Sequence, residues 1–318
     1  MDPDAEVDVE LFDMVRLYKS GRVERLAGTD VDVPAGVDPD TGVTSKDKVI
    51  DPDDGVSARL FLPDISRFAG AKLPVLVYYH GGGFCIDSPF SPRYTGFLNS
   101  LTAQARVVAV SVYYRLAPEH PLPAAYHDSL AALRWVASHA DGGSGKEEWL
   151  SQHGDFGRLF VAGDSAGANI AHQVAMSAGL GRGVRIKGVA LIHPYFWGVE
   201  PVGSETRDKE MREKSERLWR LVCPETTGAD DARINPLADA AVPLRGLACE
   251  RVVVEVAGED MLRERGRAYY EKLKESGWSG EAELAEAEGE AHVYHLENPA
   301  SEKAKALMER LVTFLNRD

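Results

Sequence analysis

Runs of apolar residues alternate with amphipathic segments along most of the chain from residue 73 onward. Near-continuous runs rich in Val, Leu, Ile and Tyr are typical of strands covered on both faces. They lie at 73–79, 107–112, 159–162, 189–192 and 252–256. Helical periodicity between and after these runs predicts helices at 124–140, 168–178, 262–276 and 302–315. Strands that alternate with helices predict an α/β fold with a central, mostly parallel sheet flanked by helices.

Shorter extended runs add strands to this pattern. Residues 44–50 and 56–62 flank the turn-rich segment 51–55 and predict an antiparallel hairpin at one edge of the sheet. A further short strand is predicted at 281–287. We find no internal repeat or low-complexity linker, so we expect a single domain of residues 1–318.

Two helical patterns lie outside the alternation. Residues 11–18 carry apolar positions at helical spacing and predict a short amphipathic helix. Residues 209–222 predict a second helix, which is charged but carries several apolar residues. We expect the segments at about 1–40 and 198–235 to form a helical cap over the C-terminal ends of the strands, because pockets in this architecture open at that edge.

The sequence Gly-Asp-Ser-Ala-Gly, at residues 163–167, contains the strongest candidate for a catalytic group. It follows the predicted strand at 159–162 and precedes an alanine-rich helical stretch. A serine between two glycines at a strand-to-helix turn is typical of a nucleophile elbow, because glycine removes the Cβ atoms that would clash nearby. Ser165 is therefore the predicted nucleophile.

A serine nucleophile needs a base for its proton and a carboxylate that orients the base. Asp260 lies just past a predicted strand end, where the loops that face a site emerge, and we prefer it to Glu259 for that reason. His292 follows the short strand predicted near the C-terminus, and His295 is its close rival. The order Ser, Asp, His is the order found in α/β-hydrolases. The other scattered histidines lack matching partners and are predicted to be structural: His120, His127, His139, His153, His172 and His193.

Residues 80–84, with the sequence His-Gly-Gly-Gly-Phe, follow a predicted strand and offer donors for an oxyanion. Successive glycines let backbone amides turn toward a developing negative charge without side chains in the way. The loop lacks the Lys-Ser/Thr pair of a P-loop and the spacing of a dinucleotide-binding motif. The predicted oxyanion donors are the amides of Gly82, Gly83 and Ala166.

Apolar residues close to these motifs are candidates for a substrate pocket. They are Phe84 and Ile86 after the glycine loop, Tyr195 and Trp197 after the strand at 189–192, and Leu218 and Trp219 in the cap. Leu11 and Val15 are further candidates that would close the pocket from the N-terminal side.

Composition narrows the class of protein further. A formal net charge of −14 argues against nucleic-acid binding, which needs clustered Lys and Arg. The cysteines, Cys85, Cys223 and Cys249, are far apart and do not form a metal-binding motif. No secretory signal and no apolar stretch of membrane-spanning length is visible. We therefore expect a cytoplasmic location, with the nucleus as a second compartment, and no membrane partner.

Several of these segments resemble the hormone-sensitive-lipase branch of the α/β-hydrolases, and within it the plant carboxylesterases. The glycine loop, residues 163–169 and the sequence Tyr-Arg-Leu-Ala-Pro-Glu-His at 114–120 match family motifs, and the residues around 18–23 and 29–30 resemble the plant group's N-terminal cap. The resemblance covers nearly the whole chain and implies the α/β-hydrolase fold. It implies Asp260 as the acid, His292 as the base and a structural role for His80. It also implies hydrolysis of small carboxylic esters without a cofactor or metal. We expect a monomer or homodimer.

Similar plant proteins keep other functions open. Gibberellin receptors share the fold but look like hydrolases whose catalytic histidine has been replaced, whereas this chain has His292. The 2-hydroxyisoflavanone dehydratases use similar machinery to eliminate water, and some carry threonine where this chain has Ser165. An alcohol could also replace water as the acceptor, since either can attack an acyl-enzyme. We expect a serine carboxylesterase, with a dehydratase-like lyase or a hormone-binding protein without turnover as alternatives.

Overall fold

A central sheet of eight strands carries helices on both faces. The structure is a computed structural model that describes residues 3, 5–68, 70–140, 143, 145–177, 179–181 and 183–317. In chain order the strands are β1 (Val7–Leu11), β2 (Val15–Tyr18), β3 (Val23–Arg25), β4 (Thr44–Asp51), β5 (Val56–Leu62), β6 (Leu73–Tyr79), β7 (Val108–Tyr113), β8 (Gly154–Asp164), β9 (Ile186–Ile192), β10 (Cys249–Ala257) and β11 (Glu281–Ala287). The helices are α1 (Pro92–Ala105), α2 (Ala124–Ala137), α3 (Glu148–His153), α4 (Ala166–Ser177), α5 (Lys209–Val222), α6 (Arg263–Glu275), α7 (Tyr294–Glu297) and α8 (Glu302–Asn316).

The large sheet has the strand order β11-β10-β9-β8-β6-β7-β5-β4. The strands from β11 to β7 pair in parallel, while β5 pairs antiparallel with both β7 and β4. The predicted mostly parallel sheet and the predicted edge hairpin are thus confirmed. The chain winds outward in one direction from β6 to β7 and in the other from β8 to β11. Such a reversal opens a crevice at the carboxyl ends of the strands, which is where ligands bind in this architecture.

The alternation of side chains along the central strands divides the core into two layers. Every residue of β6 is buried. Val75 and Val77 pack on the side of α2, α4 and α6, whereas Leu76 and Tyr78 pack on the side of α1 and α8. A strand covered on both faces needs apolar residues at successive positions, which explains the continuous apolar runs in the sequence.

The predicted helices agree with α2, α4, α5, α6 and α8 within a few residues at their ends. Residue 178, the predicted end of α4, lies outside the described residues. Helix α1 was not predicted, although it starts with a recognisable signal, Ser91 at the N-cap and Pro92 in the first turn. Helices α3 and α7 are too short for a periodic pattern to reveal.

The helix predicted at 11–18 is wrong, because these residues belong to an antiparallel sheet formed by β1, β2 and β3. Leu11 and Val15 are cross-strand partners, so a spacing of four residues that fits one helix face here spans a hairpin. Phe12 and Asp13 form its turn with φ values of 53° and 52°, in the left-handed region that tight hairpin turns require. The N-terminal part of the predicted cap is therefore a small sheet rather than a helix.

Candidate active site

Ser165 stands in the sharp turn between β8 and α4. Its φ of 52° lies in the left-handed region, which non-glycine residues rarely adopt outside functional sites. Its amide donates a hydrogen bond of 2.8 Å to the Ile192 carbonyl at the end of β9. A Cβ on Gly163 would lie 2.4 Å from the Gly167 carbonyl carbon, and one on Gly167 would lie 2.0 Å from the Tyr79 oxygen. The turn therefore requires both glycines.

Replacing Gly167 with alanine should destabilise the protein, because the new methyl group would overlap the backbone oxygen of Tyr79. We expect a loss of about 3 kcal/mol in the free energy of unfolding, at the upper end of the range for overpacking. Gly96→Ala is the matched control, since Gly96 lies inside α1 with no atom within 4 Å of an added Cβ. Alanine should stabilise that helix by about 0.5–1 kcal/mol. Urea unfolding of both variants measures the difference, and equal midpoints would contradict this account of the turn.

The three residues predicted as nucleophile, base and acid lie in one hydrogen-bonded chain. The Nε2 atom of His292 is 2.9 Å from the Oγ atom of Ser165, and its Nδ1 atom is 2.7 Å from Oδ2 of Asp260. The other carboxylate oxygen of Asp260 accepts the amide of Leu262 at 2.9 Å. These residues follow β8, β10 and β11, so parallel strands bring them to the same edge of the sheet. Glu259, the rival acid, lines the adjoining cavity, and His295 is packed against Phe97.

The Asp260 carboxylate and the His292 imidazole shift each other's pKa. Burial lowers the pKa of His292, but the attraction and hydrogen bond of Asp260 outweigh it and hold this pKa above its ordinary 6.5. Burial raises the pKa of Asp260, yet the attraction of His292 and its hydrogen bond outweigh burial and bring this pKa below its ordinary value of 3.8. The pair therefore favours a charged aspartate beside an imidazole that readily accepts a proton.

The glycine loop after β6 presents Gly82 and Gly83 to the same cavity as Ser165. Their φ values are 95° and 59°, and a Cβ on Gly82 would lie 2.3 Å from the Ile86 carbonyl oxygen. The amide of Gly81 is already used, because it donates to the Tyr94 hydroxyl at 2.7 Å. His80 is fully buried and stacks on Tyr114, with 4.3 Å between ring centroids.

A buried carboxylate lies behind this loop. Asp164 accepts hydrogen bonds of 2.8 Å from the hydroxyls of Tyr78 and Tyr94. Burial raises the pKa of Asp164 to about 6, although both hydroxyls oppose the shift. Its charge also contributes to the raised pKa of His292. Asp164 thus links the elbow, through Tyr94, to the backbone of Gly81.

A mostly apolar cavity of about 580 Å³ opens over Ser165 and His292. Ile86, Tyr195 and Leu218, which were pocket candidates, lie in its wall. Phe12, Asp13 and Met14 line it as well, although no sequence pattern had pointed to them. They form the tip of the β1–β2 hairpin, so only the tertiary fold reveals their role. Arg93 of α1, Met261 after β10 and Leu296 of α7 also line the cavity.

Three pocket candidates are wrong, because Phe84, Trp197 and Trp219 are core residues that do not line this cavity. Phe84 packs against Trp219 with 6.4 Å between ring centroids. The indole nitrogen of Trp219 donates to the Thr226 hydroxyl at 2.6 Å, and the side chain is buried. Leu11 and Val15 are also buried beneath the hairpin tip instead of facing the cavity.

Among the described residues, one group of side chains has the composition of a metal site. Ligand atoms of His193, Asp260 and His292 lie within 4.8 Å of one another. Each has another role, however. Asp260 and His292 are bonded to each other, and the Nδ1 atom of His193 accepts the Val293 amide at 3.0 Å. The remaining nitrogen of a neutral His193 then carries a proton, so this donor set fits proton transfer better than metal binding.

Comparison with curated proteins finds plant enzymes along nearly the whole chain. Tuliposide A-converting enzyme 1, chloroplastic, of Tulipa gesneriana is 51% identical over 98% of this chain and 79% of its own length. "Probable carboxylesterase 4, mitochondrial" of Arabidopsis thaliana is 46% identical over 98% of this chain and 84% of its own. The 2-hydroxyisoflavanone dehydratase of Glycyrrhiza echinata is 46% identical over 98% of this chain and 96% of its own.

The predicted cytoplasmic location is wrong in light of these relatives. The tulip enzyme is named chloroplastic and the Arabidopsis carboxylesterase mitochondrial, which points to organelles. Cysteine usage and the lack of a secretory signal, on which the prediction depended, do not distinguish the cytoplasm from the inside of an organelle. In the part of the chain that the structure describes, none of the helices combines the length and the apolar character needed to cross a membrane.

Solved structures and a family model give the same assignment. The thermophilic carboxylesterase EstE1, cloned from a metagenomic library, superimposes with a TM-score of 0.71 at 28% identity, covering 89% of this chain and 90% of its own. A family model described as alpha/beta hydrolase fold matches residues 76–296. The chain therefore belongs to the α/β-hydrolase family, in its plant hormone-sensitive-lipase-like branch.

Proposed function

We propose that the protein hydrolyses small carboxylic esters through an acyl-enzyme formed on Ser165. Its relatives and structural neighbours identify the protein as a carboxylic ester hydrolase. We propose which residues carry out the reaction and in which steps. The observation that carries it is the hydrogen-bonded chain from the Ser165 hydroxyl through His292 to Asp260. This arrangement matches the roles of nucleophile, base and orienting acid in serine hydrolases.

In the first step His292 accepts the proton of Ser165 while the serine oxygen attacks the ester carbonyl. With a proton on Nδ1 donated to Asp260, the Nε2 atom of His292 is free to act as the acceptor, 2.9 Å from the serine oxygen. Asp260 stabilises the imidazolium that forms. His292 then protonates the leaving alcohol, and water clears the acyl group by the same steps in reverse.

The developing oxyanion would be held by the amides of Gly82, Gly83 and Ala166. Gly82 and Gly83 border the cavity with Ser165, and Ala166 begins α4 directly after the nucleophile. The Gly81 amide is engaged by Tyr94, which supports the choice of the next two glycines. Preorganised backbone donors of this kind typically contribute about 10²–10³ each to turnover.

The cavity supports small, largely apolar esters as substrates. We propose that the segments at about 1–40 and 198–235 act as the cap, because the hairpin tip and α5 meet above the glycine loop. A Cβ on Gly83 would lie 3.2 Å from Cε of Met14 and 3.5 Å from Cδ2 of Leu218. Side chains from both cap segments thus border the place where the ester carbonyl would sit.

Elimination of water is the second candidate function, favoured by the similarity to a 2-hydroxyisoflavanone dehydratase. A panel of aryl esters with increasing acyl length, assayed beside a 2-hydroxyisoflavanone, separates the two. We expect kcat/KM to be highest for short acyl chains and to exceed that for dehydration. Dehydration faster than hydrolysis of every ester would overturn the proposal. Tight binding of a small hormone-like ligand without turnover would do so in favour of a receptor.

The acid limb of kcat/KM should have its midpoint above pH 6.5. The base must be neutral to accept a proton, and the pKa of His292 is raised, so more than half of the enzyme is inactive at pH 6.5. In Asp164→Asn one source of that raised pKa is gone, and the limb should move to lower pH. Initial rates of both enzymes across pH 5 to 9 measure the shift. A limb that stays in place or moves upward would contradict the role of Asp164.

A further inference from the structure

The side chain of His193 contacts the loop that carries the proposed base, a contact that no sequence pattern predicted. We propose that it is a positioning residue, whose Nδ1 atom accepts the Val293 amide and thereby holds His292 in line with Ser165 and Asp260. The hydrogen bond measures 3.0 Å, and Val293 directly follows His292 in the chain. This inference rests on the proposed function, since it assigns a task to a residue outside the three reacting groups.

The position of His193 in the sheet places it between the two strands that carry the nucleophile and the acid. It directly follows β9, which pairs with β8 on one side and β10 on the other. Its amide donates to the Glu255 carbonyl of β10 at 2.8 Å, and the preceding Ile192 carbonyl accepts the amide of Ser165 at 2.8 Å. The backbone at 192–193 therefore ties both strand ends together, and the His193 side chain adds the loop after β11.

The backbone on both sides of the hydrogen bond is strained. His193 has a φ of 47° and Val293 a φ of 50°, and both values lie in the left-handed region. A β-branched residue such as valine is especially disfavoured there. Such conformations persist only where surrounding contacts hold them, and they cluster at functional sites. The bond from Val293 to His193 is a contact that holds this turn, and the turn sets where His292 points.

The imidazole of His193 is suited to accept and not to donate at Nδ1. Because that atom receives the N–H of Val293, it carries no proton, and the neutral ring is protonated on Nε2. The ring is faced by His292, His295 and Tyr294, with 5.8, 5.5 and 5.4 Å between centroids, and by the Asp260 carboxylate. Burial is the main cause that holds the pKa of His193 well below its usual value, and His295 and His292 lower it further. The Asp260 carboxylate has the opposite, smaller effect.

The structure also separates His193 from substrate binding. His193 does not line the cavity over Ser165, whereas His292 and Val293 do. Its Nε2 atom makes no hydrogen bond within the described residues, so the Val293 amide is the ring's single hydrogen-bond partner there. Loss of this acceptor should therefore disturb the alignment of His292 and leave the affinity for substrate largely intact.

The test compares His193→Leu, which removes the acceptor, with His193→Asn, whose Oδ1 atom occupies the place of Nδ1. Because a misplacement of about 1 Å can cost about 10²-fold, we expect kcat of the leucine variant to fall 10- to 100-fold with KM within about twofold. The asparagine variant should recover most of the loss. Amide hydrogen exchange at Val293 gives a readout independent of turnover, with protection lost in the leucine variant and kept in the asparagine variant.

His172→Leu is the matched control, since His172 is a buried histidine that contacts Tyr269 on α6 and not His292. It should lower thermal stability about as much as His193→Leu and leave kcat unchanged. The proposal is overturned if His193→Leu keeps wild-type kcat, if both histidine variants lose kcat equally, or if His193→Asn protects Val293 without restoring kcat. The proposed function has a separate test. It fails if the Ser165→Ala variant hydrolyses esters as fast as the wild type does.

Discussion

Replacing Ser165 with alanine should lower kcat for a short-chain aryl ester by about 10⁴- to 10⁶-fold, the range found when a serine hydrolase loses its nucleophile. The hydroxyl is the group that forms the acyl bond, and its oxygen lies 2.9 Å from Nε2 of His292. The residual rate would come from the oxyanion donors and substrate binding. Initial rates at saturating ester measure the loss.

The matched control for Ser165→Ala is Ser151→Ala, which removes a serine hydroxyl in α3, the helix that precedes β8 and lies at the other end of that strand from the elbow. Its rate should equal that of the wild type. Thermal unfolding of both variants must show that the fold is kept. Retention of more than about a tenth of the wild-type kcat by Ser165→Ala would contradict the assignment, since no mechanism through this serine allows it.

Asp260→Asn should lower kcat by about 10⁴-fold, although the side chain keeps its shape. An amide can donate its N–H to Nδ1 of His292, which would leave the proton on Nε2, and Nε2 could then no longer accept the proton of Ser165. The variant should also lose most of the upward shift in the pKa of His292, because the Asp260 carboxylate is the main source of that shift and Asp164 the smaller one.

Glu259→Gln is the matched comparison, because it removes a neighbouring carboxylate that lines the cavity but is not bonded to His292. We expect a change of no more than a few-fold in kcat. Parallel measurement of kcat and of the acid limb in the two variants separates an orienting carboxylate from general electrostatics. A larger loss of kcat in Glu259→Gln than in Asp260→Asn would show that Glu259, and not Asp260, is the orienting acid.

The residues that meet at the candidate site could be predicted largely from local sequence patterns. The glycines around Ser165 and the three glycines after β6 each serve a backbone geometry that a short motif encodes. The segment with Asp260 could be placed at the site because a parallel sheet brings strand ends to one edge. That rule applies equally to Glu259, and the hydrogen bond of Asp260 to His292 separates the two. Spacing did not separate His292 from His295, since both lie in the segment after β11.

The remaining errors have a common physical cause, which is that burial and long-range contacts are not local properties. Leu11 and Val15 fit a helix period and a hairpin pair equally well, and the left-handed turn between them decided the outcome. Trp197 and Trp219 are close to the site in sequence, but their side chains are buried in the hydrophobic core. Met14 reaches the cavity only because the small N-terminal sheet folds over the glycine loop.

The central claim is that the acyl group of the substrate is carried by Ser165, and trapping that intermediate tests it most directly. The enzyme is mixed with an aryl ester, quenched in acid within the first turnover, and analysed by intact mass and peptide mapping. We predict one acyl group per chain, located on the peptide that contains Ser165 and absent from Ser165→Ala. An acyl group on another residue, or rapid turnover with no acylated chain at any time point, would contradict the mechanism.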